Sequence, residues 1–357
     1  MAAATKNRAS GHGRTARIVT RSTEQFGLPV LFALMVLFFA TYSMSRRAFT
    51  SSENINNILA GQSVTGIIAL GMVIPLAAGY FDVSIAAIAG VTNVAAGSII
   101  VEHGQSIWTG MLAALVLGGL IGAVNGVLVA YFKVNGLIVT LGSYTVLGGV
   151  VTWYTKGASI SGVPGSLGNW GSEKWLGIPR PFWLLAVVGL IIWYGLMHTP
   201  FGRQFEAVGS NEAAARLVGI RVERLVFCSF VLAGLIAGIA GILLTSRSGG
   251  ADPTAGPSYL FPALAAVFLG ATTIRPGKYN VWGTILGIFF VAVGVTGFTL
   301  IGADAWVTPV FDGGVLIVAV FISTVVGRRR AGHAVAVVPK PDEPVPVSEA
   351  DSVTAEA

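Results

Sequence analysis

The side chains able to do chemistry are few and scattered. His12, His103, His198 and His333 do not pair with carboxylates at metal-ligand spacing, and the one cysteine, Cys228, lies inside an apolar stretch. No metal site follows from these histidines, no disulfide framework follows from one cysteine, and no cofactor is expected. Gly270 followed by Gly277-Lys278-Tyr279 superficially resembles a phosphate loop. A P-loop needs four residues between its glycines and a Ser or Thr after the lysine. Here six residues intervene and a tyrosine follows. The chain is therefore expected neither to bind ATP itself nor to be an enzyme.

Two other groups of polar residues stand out. The first is a polar island, residues 205–220. Asn211 is placed to cap a helix by accepting from a first-turn N–H. Glu212 then sits at the positive end of the helix dipole. Ala213, Ala214 and Ala215 are the best helix formers, and Gly219 suits a left-handed stop. Glu206 and Gly209 lead into this segment. A helix of about two turns with small side chains fits a partner's groove. A capped connector between two membrane helices is the plainer reading, and both stand at this point. The second group consists of isolated polar residues within or between apolar stretches: Asp82 and Ser84, Asn125, Thr140 and Asp312. An intramembrane charge is a functional candidate by default. For Asp82 the competing role is a cap for the segment that starts at Val83, and Asp312 reads as a cap opening the last segment. Asn125 and Thr140 have the chemistry to bond a hydroxylated solute or a neighbouring helix.

The elements that must position these residues are membrane helices. Charged residues make up 11% of the 357, against roughly 25% in soluble domains, and mean hydropathy is +0.76. The fold class is all-α and polytopic. Ten apolar segments are expected at about 28–44, 55–79, 82–101, 106–130, 134–155, 181–197, 225–245, 259–271, 281–302 and 308–326. The eighth is too short to cross a core of about 30 Å as a helix, so a half-helix or re-entrant segment is expected. Residues 1–27 and 327–357 read as disordered tails around a 28–326 membrane domain, and no cleavable signal peptide is expected. The formal charge of +6 is not a nucleic-acid signal, because most basic residues flank the segments or lie in the tails. With the N-terminus inside, 16 Lys and Arg fall on the cytoplasmic side and 6 outside. That bias sets the orientation: both termini and the 198–224 loop are cytoplasmic, and the 156–180 loop is external. Gly118/Gly122/Gly126, Gly234/Gly238 and Gly283/Gly287 are spaced as close-packing faces. The loops 79–84 and 272–280 faintly echo one another, each following one apolar segment and preceding another.

With these residues in view, the stretch from Phe49 to Val326 resembles the permease subunits of ribose-type sugar importers of the ATP-binding-cassette superfamily. The family's Gly-Gly-Ile-Asp-Leu-Ser-Val-Gly is similar to the run ending Ala78-Gly-Tyr-Phe-Asp-Val-Ser84. Its Asn-Gly and Ile-Val-Thr-Leu-Gly are similar to Asn125-Gly126 and Ile138-Val-Thr-Leu-Gly142. Its Gly-Arg, Ala-(Ile/Leu)-Gly-x-Asn-x-x-Ala-Ala and Gly-Ile are similar to Gly202-Arg203, the run from Ala207 to Ala214 and Gly219-Ile220. Its Ala-Ala-Val-x-Leu-Gly-Gly-Thr is similar to Ala265-Ala-Val-Phe-Leu-Gly-Ala-Thr272. Departures are Ile85-Ala86, Ala271 and Arg275-Pro276. The resemblance implies a permease in the bacterial plasma (inner) membrane, paired with a second copy or a paralogue. It also implies two ATPase subunits inside and a solute-binding protein outside. Residues 205–220 would then be the coupling helix, and the solute a sugar or polyol. Membrane lipid is a partner, and nucleic acid is not. Two rival readings lack their residues. A membrane enzyme acting on lipids needs carboxylates or histidines at the membrane face. An ion-coupled secondary transporter often buries several charges, and only Asp82 is a serious candidate.

Overall fold

A computed structural model describes residues 26–335. The remainder of the expected tails, 1–25 and 336–357, lies outside the described residues. The chain runs through α1 (Phe26–Thr41), α2 (Arg46–Phe49), α3 (Ser52–Ala77), α4 (Ile85–Val101), α5 (Ile107–Ala130) and α6 (Gly136–Thr155). Then come β1 (Ile160–Ser161), α7 (Gly165–Ser172), the hairpin of β2 (Lys174–Trp175) and β3 (Ile178–Pro179), and α8 (Arg180–His198). α9 (Pro200–Ser210) and α10 (Glu212–Leu217) precede the long α11 (Val222–Ser248). β4 (Gly250–Ala251) pairs antiparallel with β1, and α12 (Ala255–Ser258), α13 (Leu260–Gly270), α14 (Val281–Leu300) and α15 (Val307–Val335) complete the order. Local rules set the starts. Ser51, Ser106, Asn135 and Asn280 each accept a first-turn N–H of α3, α5, α6 and α14.

Seven of these helices are long and apolar enough to cross a membrane, and three shorter apolar helices occupy 26–41, 85–101 and 255–270. Together they account for the ten expected segments. The 11-residue α13 rises only about 17 Å. One expectation changes. Asp312 lies in the second turn of α15 rather than at its cap, because the helix already begins at Val307. The connection between α6 and α8 contains β1, α7 and the β2–β3 hairpin.

α4 and α11 form the centre. Small residues on α4 (Ala86, Ala87, Ala89 and Gly90) let neighbours approach on nearly every side, so most of the helix is buried. The expected glycine faces find their partners. A methyl group on Gly118 would collide with the carbonyl of Gly234, and one on Gly234 with that of Gly118. Gly122 abuts the Phe230 carbonyl, and Gly287 abuts that of Ala266. Without a hydrophobic force between helices in lipid, such backbone-to-backbone contact supplies the dispersion energy of association. The loops sort to two ends. Loops 78–84 and 271–280 meet the α9–α10 segment, and Lys133 of loop 131–135 pairs with Glu223 at the start of α11. Ile160 pairs with Ala251, and Leu167 accepts from Ser246, at the other end.

Candidate functional site

The polar island folds as two short helices. α9 buries Gly202, Phe205 and Val208. Asn211 follows with extended backbone, and its Oδ1 accepts from the Ala214 N–H at 3.0 Å, starting α10. The helix ends in a Schellman pair: Ile220 N–H donates to the Ala215 carbonyl at 3.1 Å and Gly219 N–H to that of Arg216 at 3.0 Å. This turn places Gly219 at φ +82°, where a side chain would be strained.

α10 has two sides. Ala215 is buried, while Ala213 and Ala214 are exposed. Leu217 and Val218 are 89% and 76% exposed, an apolar pair standing out of a polar loop. The other side is clamped to the membrane core. The Tyr80 hydroxyl donates to Glu212 Oε2 at 3.0 Å. Arg216 bonds Glu212 Oε1 at 2.8 Å and Glu223 Oε1 at 2.5 Å, and Lys133 reaches the same Glu223 oxygen at 3.0 Å. Glu206 of α9 pairs with Lys278. Gly209 lies against the Ala77 carbonyl, closer than any side chain would allow. Arg216 is the main reason the Glu212 carboxyl is held below its ordinary 4.5. Burial, and then Glu212, push the Tyr80 phenol up to about 12, so it remains a donor. Exposed ion pairs are worth only about 0–1 kcal/mol each. Their work here is orientation. They hold α10 against the 78–84 loop and against Glu223 at the start of α11, and leave its outer face free.

Asp82, Ser84 and Asn125 come together in one buried network. Asp82 Oδ1 accepts from the Ser84 N–H at 2.9 Å and from its hydroxyl at 2.5 Å. The same hydroxyl accepts from Asn125 Nδ2 at 2.9 Å, and Asn125 Oδ1 accepts from Ser143 at 2.6 Å. Asp82 Oδ2 is buried with no partner among the described residues. Thr140 stands apart from this chain of bonds. It donates to Gly136 at 2.9 Å and more weakly, at 3.5 Å, to the Phe81 carbonyl. These groups tie α4, α5 and α6 together. The nearby cavity is walled by Phe81 and Val83, not by Asp82 or Ser84.

The Gly270–Lys278 stretch is tied into the structure by Asn280. Its Nδ2 donates to the carbonyls of Gly270, Thr273 and Lys278, at 3.1, 3.2 and 3.1 Å. The residues that local reading of the sequence passes over are Tyr80, Asn280, Leu217 and Val218. Only the last two carry a local signal, as adjacent apolar residues in the polar island.

Residues 54–320 match the family described as branched-chain amino acid transport system / permease component. The ribose import permease protein RbsC of Escherichia coli is 36% identical over 296 residues, 82% of this chain and 92% of that one. RbsC of Bacillus subtilis is 34% identical over 298 residues, 82% of this chain and 90% of that one. The L-arabinose transport system permease protein AraH of E. coli is 31% identical over 314 residues, 87% of this chain and 94% of that one. No solved structure matches. On the family match and the near full-length identity to these permeases, the chain belongs to the branched-chain amino acid transport system / permease component family.

Proposed function

We propose that the chain is the membrane permease of a binding-protein-dependent ATP-binding-cassette importer that carries a sugar or related polyol inward. Two copies, or this chain and a paralogue, form the conduit in the bacterial plasma membrane. Two ATPase subunits bind inside, a solute-binding protein delivers from outside, and both termini are cytoplasmic. The observation that carries this reading is α10. It is a rigidly capped helix, clamped by Tyr80, Glu212, Arg216 and Glu223 on one side. On the other it presents Ala213, Ala214, Leu217 and Val218 to a partner. α10 is then the coupling helix, with Glu206, Gly209 and Gly219 fixing its entry and exit. The Asp82–Ser84–Asn125 network serves as the internal tie that keeps α4 to α6 moving as one body.

The sugar class is supported by the two kinds of permease relative, ribose and L-arabinose. The family description alone points to amino acids. Reconstitution with the cognate ATPase and binding protein separates them. ATP-dependent uptake of a pentose, and none of leucine, is expected. Leucine uptake without pentose uptake overturns the sugar assignment.

A further inference from the structure

Between α9 and the first turns of α11 lies a cavity of about 440 Å³, separate from the one beside Phe81. α9 lines it with Phe201 and Gln204, and the turn that closes α10 lines it with Val218, Gly219 and Ile220. α11 contributes Arg221, just before its first residue, and Arg224, Leu225 and Cys228. Spacings of three, four and seven residues put these four on one face of the helix. Cys228 lies about 10 Å further along the axis than Arg221. Charge is therefore confined to the outer end of the cavity, and the inner end is apolar. The two arginines are unmatched. The ion pairs among the described residues use Lys133, Arg180, Arg216 and Lys278, and neither the Arg221 nor the Arg224 guanidinium has a hydrogen-bond partner among those residues. No acidic residue lines the cavity. The acid nearest in sequence, Glu223, is held by Arg216 and Lys133, and it points away from the face that carries Arg221. The level of the cavity matches a membrane surface. The membrane-crossing α8 ends at His198, just before Phe201, and α11 begins its crossing at Val222.

We propose that this cavity binds an anionic phospholipid of the leaflet on the α9–α10 side. The guanidinium fork matches phosphate oxygens, and basic pockets between membrane helices take anionic headgroups. Arg221 and Arg224 hold the phosphate, and Gln204 donates to headgroup oxygens. The first acyl methylenes lie along Phe201, Leu225 and Cys228. A soluble phosphate would leave that apolar inner end unfilled, which is why the ligand is a lipid. Val218, Gly219 and Ile220 form the third wall, so an occupied site braces the turn through which α10 leads into α11. The site itself does not depend on the coupling role of α10.

Cys228 is the only cysteine of the chain and reports on the inner end of the cavity. The full-length permease is placed in nanodiscs of phosphatidylcholine, or of phosphatidylcholine mixed with phosphatidylglycerol. The rate of maleimide modification of Cys228 is then measured. Phosphatidylglycerol should slow it by about tenfold, the order of preference that two arginines give an anionic headgroup. Arg221→Gln combined with Arg224→Gln should cut the slowing to less than about twofold. Glycerol phosphate added to phosphatidylcholine discs should give no protection. Equal rates in the two lipids, read on the unmodified chain, overturn the site even if the double variant is poorly made. A slowing that persists in the double variant comes from surface charge alone and overturns it too. Protection by glycerol phosphate makes the ligand a soluble anion. Protection by added ATPase subunits in discs without phosphatidylglycerol gives the cavity to a protein partner. Either result overturns the lipid assignment.

Discussion

Replacing Asp82 by leucine should dismantle a network that replacement by asparagine leaves largely standing. Oδ1 receives two hydrogen bonds from Ser84, at 2.9 and 2.5 Å, and the Ser84 hydroxyl is also the acceptor for Asn125. Asp82, Ser84 and Asn125 are 2%, 0% and 1% exposed, so water cannot replace what is lost. Leucine strands two buried donors at about 1–3 kcal/mol each. The Ser84 hydroxyl can rotate towards another acceptor, which puts the expected total near the lower end, about 2–3 kcal/mol. Asparagine retains an oxygen at the Oδ1 position, and its amide replaces an Oδ2 that is itself buried and unpaired, so one unsatisfied group is exchanged for another. Its expected cost is about 1 kcal/mol or less. At about 2–4 °C per kcal/mol for a large domain, leucine should lower the midpoint of thermal unfolding in detergent by roughly 4–12 °C. Asparagine should lower it by a few degrees at most. Uptake normalised to protein abundance should follow the same order. Equal loss of uptake in both variants, with unfolding midpoints unchanged, would refute this account, because the charge itself would then be in use.

The same structural logic extends to three other places. Gly118→Ala should lower membrane abundance, since the new methyl meets the Gly234 carbonyl and overpacking costs about 1–3 kcal/mol; Gly148→Ala, with open space around it, should be neutral on an immunoblot. The Glu212 carboxyl is held below 4.5 when folded. Its contribution to clamping α10 is therefore complete above 4.5 and lost as pH falls through the lowered value. Cleavage after Arg216 by an acid-tolerant protease should rise only in that acid range, and Glu212→Gln should abolish the pH dependence. For topology, Ser172→Cys with Cys228→Ala places an exposed thiol at the end of α7. It should react with an impermeant reagent in intact cells, and labelling confined to lysed cells would reverse the orientation.

What the sequence disclosed was local. Asn211, the alanines and Gly219 obey capping and propensity rules over nine residues, and the helix forms where those rules put it. Apolar run length marked the membrane helices, and glycine spacing marked faces that meet other backbones. Pairing was not legible. Tyr80 and Glu212 are 132 positions apart, and no local rule makes a tyrosine after Gly79 the partner of an acid in the polar island. Asn125 and Thr140 offer two readings, solute contact or helix contact, and the burial of Asn125 against Ser84 is a tertiary fact that no local pattern carries. Asp312 was misplaced for a physical reason. The helix gains its first turns from Val307 onward, where the chain is already apolar, and does not wait for a polar cap.

The central claim is that α10 docks in a separate ATPase and passes its motion inward. Ala214→Arg tests it most directly. Ala214 is exposed, and its N–H, not its side chain, holds the Asn211 cap. Arginine is a good helix former, so the permease should reach the membrane at normal abundance. A bulky side chain at a packed contact costs about 1–3 kcal/mol. Uptake and ATPase co-purification should therefore both fall sharply. If both remain at the level of the unmodified permease, α10 is only a connector and the coupling account is wrong.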